Sequence, residues 1–244
     1  MYKQQLVLAI TLLITAGSYA QWWGSNKKIK GNNDVETITR KTSDYESVHL
    51  KGSWDVQLVK GTEGELKITG ESNLLEYIIT DVDGNKLTIQ SKDGYSLNTS
   101  FNKSIVITVP FKDLNGIYLS GSGDITTSDV VKSEDLEVLV SGSGDVNVTL
   151  EAKNLKGKVT GSGDLVLKGK TMNFECSVTG SGDVSAYGVQ ANNVDASVTG
   201  SGDIQVIALE SIRGRITGSG DIDYKGNPAT KDTKVLGSGD ISAN

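Results

Sequence analysis

The tetrapeptide Gly-Ser-Gly-Asp occurs seven times, starting at Gly121, Gly142, Gly161, Gly180, Gly200, Gly218 and Gly237. Successive starts lie 21, 19, 19, 20, 18 and 19 residues apart. A recurrence this regular is one structural unit repeated, and it restricts the chain to folds in which neighbouring units bury one another. Alignment on the tetrapeptide makes the flanking columns legible. Two residues before it stand Leu119, Val140, Val159, Val178, Val198, Ile216 and Val235. Directly after the Asp stand Ile125, Val146, Leu165, Val184, Ile204, Ile222 and Ile241. Both columns are aliphatic in every copy. Four residues before the motif the column is mostly small (Val138, Gly157, Cys176, Ala196, Gly214), and six before it large apolar groups return (Leu136, Leu155, Phe174, Val194, Ile212).

Alternation at period two marks strands with one buried face. Each unit therefore reads as a strand, a glycine corner and a second strand. A repeat of about 19 residues is too short for a strand–helix–strand unit. The pattern predicts an all-β fold, a single-stranded parallel β-helix (β-solenoid) with about 19 residues per coil, its aliphatic columns stacked inside as ladders. At the corner a bend needs positive φ or close backbone approach, and glycine supplies both. Ser and Asp can hydrogen-bond nearby amides that the ladders do not reach.

The N-terminal third reads as the same object with a degenerate corner. The stretch from Val48 to Leu58 keeps the aliphatic column, a Gly52-Ser53-Trp54-Asp55 corner and the alternation after it. Further strands are expected at Leu66–Ile68, Lys86–Ile89 and Ile105–Val109, and a short helical turn at Asn73–Tyr77. The predicted organisation is residues 1–20 as a cleaved secretory signal, 21–37 as a flexible lead or end cap, and 38–244 as one solenoid domain with Gly-Ser-Gly-Asp corners over 121–240. The signal rests on Lys3, the apolar run Leu6–Ile14 and the small-x-small site Ser18-Tyr19-Ala20. That run is too short to span a bilayer, so no transmembrane segment is expected after cleavage. The localisation that follows is export, to periplasm, cell surface or medium.

Composition narrows the chemistry. One Cys excludes a disulfide-stapled fold, and one His removes most Ser/His, Cys/His and His-rich metal sites. The net charge of −6 argues against nucleic acid as a partner, because phosphate binding needs a basic face. Cys176 falls in the small inward column and reads as a buried hydrophobe. Lys27, Lys28 and Lys30 form the one compact basic group and read as a solvated tether. Trp22, Trp23 and Trp54 read as covers for an open solenoid end rather than as sugar-stacking platforms.

The Gly52-Ser53-Trp54-Asp55-Val56 corner, the Asn73-Leu74-Leu75-Glu76-Tyr77 segment, Leu119-Ser120-Gly121-Ser122-Gly123-Asp124 and the tandem copies that follow resemble the head GIN domain family of bacterial secreted proteins, the putative auto-transporter adhesins. The likeness covers roughly Ile38 to Asn244. It implies a right-handed β-helix related in shape to pectin-lyase folds, and a role in cell adhesion. The chain shows no run of amphipathic strands of about ten residues of the kind that builds an outer-membrane barrel, so self-translocation is not expected.

A catalytic site should break a repeat at one or two coils with unlike, converging polar groups, whereas here the acidic corner is the same in seven coils. No catalytic residue, cofactor or metal ligand is therefore assigned. Ser122 and its equivalents read as corner hydrogen-bonders. His49, between Val48 and Leu50 on a strand, reads as an outward surface residue. The calcium-binding nonapeptide solenoid returns glycine and aspartate every nine residues; here they return once per coil. The remaining candidate surface for a ligand or cation is the corner ladder Asp55, Asp124, Asp145, Asp164, Asp183, Asp203, Asp221 and Asp240. The reading is an exported, non-enzymatic surface or envelope module, adhesive toward a surface glycan or protein. The alternatives are a carbohydrate-binding or carbohydrate-cleaving β-helix, and a structural module that forms homo-oligomers by stacking end to end.

Overall fold

A computed structural model describes residues 26–244. The predicted signal, together with Trp22 and Trp23, lies outside the described residues. The N-terminal part comprises β1 (Lys27–Lys30), β2 (Val35–Lys41), β3 (Ser47–Gly52), β4 (Asp55–Lys60), β5 (Glu65–Glu71), α1 (Ser72–Leu75), β6 (Ile78–Asp83), β7 (Lys86–Ser91), β8 (Tyr95–Asn98) and β9 (Val106–Phe111). The repeats comprise β10 (Gly116–Gly121), β11 (Ile125–Thr127), β12 (Val131–Gly142), β13 (Val146–Gly161), β14 (Leu165–Gly180), β15 (Val184–Gly200) and β16 (Ile204–Gly218). The last coils are β17 (Ile222–Lys225), β18 (Thr230–Gly237) and β19 (Ile241–Ala243).

The repeats form a β-solenoid of stacked parallel coils, as the period requires. Val140, Val159, Val178, Val198, Ile216 and Val235 pair in register from coil to coil. Val146, Leu165, Val184, Ile204, Ile222 and Ile241 form the second ladder. Within β13 the inward residues are Val146, Val148, Leu150 and Ala152, then Leu155, Gly157 and Val159. The alternation slips by one at Lys153–Asn154, so the chain bends there and a coil presents two inward faces. This explains the small column. A Cβ on Gly157 would lie 3.1 Å from a methyl of Leu165, so the space is already filled from the opposite face. Cys176 occupies the same column and is buried, and burial pushes its thiol pKa up, which keeps it protonated and inert.

The N-terminal third departs from simple continuation. The coil β3–β4 comes first in the chain but sits inside the stack. It pairs in parallel with β10 and β11 on one side and with β7 and β9 on the other. Beyond these, β6 adds to β7, β5 to β9 and β2 to β5, all antiparallel. Leu74 and Leu75 of α1 are buried against this end. The Arg40 guanidinium donates to the carbonyls of Leu75 (2.5 Å) and Ile78 and so ties β2 to the segment after α1.

Three expectations are revised here. Residues 27–30 and 35–37 belong to strands; β1 pairs in parallel with β8, so Lys27, Lys28 and Lys30 are strand residues, not a tether. The sheet starts at Val35, ahead of the predicted boundary at Ile38. Trp54 is buried within the stack, with β9 and β5 lying beyond β4, and so covers no open end. At the opposite end β18 pairs with β16 alone among the described strands, and the inward column reaches solvent at Val235, 37% exposed.

Candidate functional site: the corner row and the outward faces

At each corner the chain passes over the corner of the coil before it. The carbonyl of Gly121 accepts the N–H groups of Ser143 (3.0 Å) and Gly144 (3.2 Å), and that of Gly142 those of Ser162 (2.8 Å) and Gly163 (3.1 Å). The first glycine of every copy has positive φ, from 123° at Gly180 to 138° at Gly121 and Gly237. The second glycine has no such φ, yet a Cβ on Gly182 would lie 2.1 Å from the Gly163 carbonyl oxygen. One glycine serves conformation and contact; the other serves contact alone.

The aspartates follow the same logic. Each carboxylate Oδ1 accepts the backbone N–H of the next aspartate along the stack: Asp145 to Asp124 (3.0 Å), Asp164 to Asp145 (2.9 Å), Asp183 to Asp164 (3.1 Å), Asp203 to Asp183 (2.7 Å), Asp221 to Asp203 (2.8 Å) and Asp240 to Asp221 (2.7 Å). The aspartate carbonyl in turn accepts from the preceding coil, as Val146 N–H does to Asp164 (2.9 Å). The donor to each carboxylate is thus the backbone amide of the aspartate in the following coil. Asp55 stands at the start of the row, and burial, then the Asp124 charge, raises its pKa. Among the described residues no three His, Cys, Asp or Glu side chains gather into a metal-ligating group.

His49 stacks on Tyr118, ring centroids 4.1 Å apart and 17° from parallel, on the outward side of β3 and β10. Partial burial, with Lys86 and Lys51 nearby, lowers its pKa to about 4 despite the opposing Glu137. The Tyr118 hydroxyl donates to Glu137 Oε2 (2.7 Å), and Lys156 lies 3.7 Å from the same carboxylate. A second outward row had no place in the sequence reading. Asn154 Nδ2 donates to Asp135 Oδ1 (2.7 Å), Asn173 to Asn154 (2.8 Å) and Asn193 to Asn173 (3.1 Å), and Ser211 Oγ donates to Asn193 (2.7 Å). Its signal was available, one residue before the large apolar column. Nearest the corner, Thr160, Thr179, Thr199 and Thr217 form an exposed row. Two open grooves follow the bends of the coils. One, of about 710 Å³, has Met172 and Leu209 between Lys132, Lys153 and Lys170. The other, of about 700 Å³, runs beside the Asn row from Tyr118.

Stacked parallel coils with outward side chains repeated in register define a β-solenoid. The chain belongs to the family described as putative auto-transporter adhesin, head GIN domain, whose sequence profile matches residues 44–228. It resembles the crystal structure of a putative adhesin from Bacteroides fragilis, with 28% identity and a TM-score of 0.82 over 88% of this chain and 100% of that one. A putative lipid binding protein from Parabacteroides distasonis also aligns, at 28% identity and a TM-score of 0.74 over 89% of this chain and 100% of that one. A putative adhesin from Parabacteroides merdae shares the fold at 23% identity and a TM-score of 0.67, over 89% and 99% of the two chains. None of the curated proteins matches the chain. No described helix is long and apolar enough to cross a membrane.

Proposed function

We propose that the chain is an exported, non-enzymatic adhesive module that holds a surface glycan or protein through many weak, equivalent contacts. The observation that carries this reading is the exposed Thr160–Thr179–Thr199–Thr217 row, in which one outward chemistry recurs in register on successive coils. An enzyme needs unlike groups converging on one reacting atom, and repetition supplies the opposite. Contacts repeated about every 4.8 Å instead favour avidity, in which each further contact is intramolecular and adds residence time without a strong single site. The family description and the Bacteroides fragilis relative support the same role.

The test pairs adhesion with turnover. Beads coated with the secreted form should adhere to cells at least tenfold longer than the same chain presented singly. No reducing or unsaturated ends should appear on a panel of neutral and acidic polysaccharides. Release of such ends, lost on replacing one carboxylate pair, would replace this reading with a carbohydrate-cleaving β-helix. Equal residence of beads and single chains would remove the multivalent part.

A further inference from the structure

The groove beside the Asn row differs from the threonine row because its two walls are unlike. Asp135, Asn154 and Asn173 form one wall, Glu137, Lys156 and Glu175 the other, and Tyr118 lies at one end. The walls follow the stack in register, Asp135 to Asn154 to Asn173 and Glu137 to Lys156 to Glu175. Each asparagine Nδ2 uses one hydrogen along the ladder and keeps the other. Asp135 accepts from Asn154 alone, Glu137 accepts from Tyr118 and lies near Lys156, and the carboxylate oxygens of all three acidic residues keep lone pairs for further donors. Closely spaced donors and acceptors of this kind match adjacent hydroxyls, which both give and accept hydrogen bonds. The Tyr118 ring is fixed by His49 stacking and by its bond to Glu137, and a fixed ring offers an apolar contact at little entropic cost.

Charge decides the class of ligand. Three carboxylates (Asp135, Glu137, Glu175) against one ammonium (Lys156) leave the walls at −2, which disfavours uronate or sulfate. We propose that this groove is a subsite for a neutral, hydroxyl-rich glycan lying along the solenoid axis, so that successive sugars meet polar side chains at the same two register positions on successive coils. The inference rests on the adhesive reading and names one surface that performs it.

The experiment titrates the secreted form with neutral oligosaccharides (glucan, mannan and galactan fragments) and with oligogalacturonate, alongside cell adhesion by the same samples. A neutral oligosaccharide should bind. Asn154→Ala with Asn173→Ala should weaken that binding at least tenfold with the circular dichroism spectrum unchanged. Should the double variant lose its fold, Asn173→Gln, which lengthens one side chain into the groove, is expected to give the same loss in a folded protein. Equal binding by wild type and a folded variant overturns the site, as does tighter binding of oligogalacturonate. Cell adhesion without any neutral oligosaccharide binding overturns the subsite and leaves the adhesive reading standing. Loss of both sinks the two together.

Discussion

The two glycines of each corner are required for different reasons, close approach alone for the second and positive φ as well for the first. Substitutions at Gly182 and at a turn glycine elsewhere measure the two costs apart. Gly182 sits directly over the Gly163 carbonyl, so Gly182→Ala must push two coils apart. A cost of about 3 kcal/mol or more is expected, at the upper end of overpacking effects. Gly84, at the β6–β7 turn, has φ 59° and open space where a Cβ would stand, so Gly84→Ala should cost only about 1–2 kcal/mol of left-handed strain. Denaturant titration of the two variants gives the comparison. The same argument accounts for Trp54 in place of a second glycine: its corner begins the row, with no earlier Gly-Ser-Gly-Asp corner beneath it. His49 supplies the pH dependence at this scale. Its folded pKa, about 4, lies below the ordinary value of 6.5, so the unfolded chain binds the proton more readily. The stability it contributes is complete above pH 6.5 and is lost as pH falls toward 4. Melting temperatures measured over that window should fall less steeply for His49→Gln than for the wild type.

At the scale of elements, the N-terminal strands are held by a buried carboxylate. Glu71, at the end of β5, accepts the N–H of Asn33 (2.6 Å) and both the N–H (2.8 Å) and the hydroxyl (2.6 Å) of Ser100. Burial alone would raise its pKa, but the Ser100 and Asn33 bonds and the Lys103 charge outweigh it and lower the pKa overall. Glu71→Ala should cost about 2–3 kcal/mol, the scale of hydrogen bonds to a charged group. Hydrogen exchange should show the loss first in β1, β2 and β8, with β13–β16 still protected. The two halves of the fold were unequally legible in sequence. Val159, Val178 and Val198 announce their ladder because identical spacing forces identical position. The Asn154–Asn173–Asn193 row obeys the same rule, but an outward polar column is not forced to stack by burial, so spacing alone does not mark it as a hydrogen-bonded ladder. For β2, β5 and β6 no such rule exists. Their alternation fits parallel or antiparallel pairing equally, and partners are chosen by which edge lies free when β3–β4 is enclosed. Nothing local to Val35–Lys41 reveals that it pairs with Glu65–Glu71.

For the whole molecule, the ends are unlike: one carries the antiparallel strands β2, β5 and β6 with α1, while at the other the parallel strand β18 leaves an edge unpaired among the described strands. Along the side, neighbouring aspartates stand one coil apart, about 4.8 Å at strand spacing, and repel by about 0.9 kcal/mol per pair even at the dielectric of water. The amide that each carboxylate accepts offsets this, and Asn at the same place would keep the acceptor while removing the charge. The central claim is that the repeated corner is architecture and not a metal ladder. The direct test is thermal melting of the wild type and of Asp183→Asn with Asp203→Asn, in chelator and in millimolar Ca²⁺. The predicted result is a wild-type melting point unmoved by either addition, with the double variant melting at the same temperature or slightly higher. A large rise with Ca²⁺ that the double variant abolishes would contradict the account.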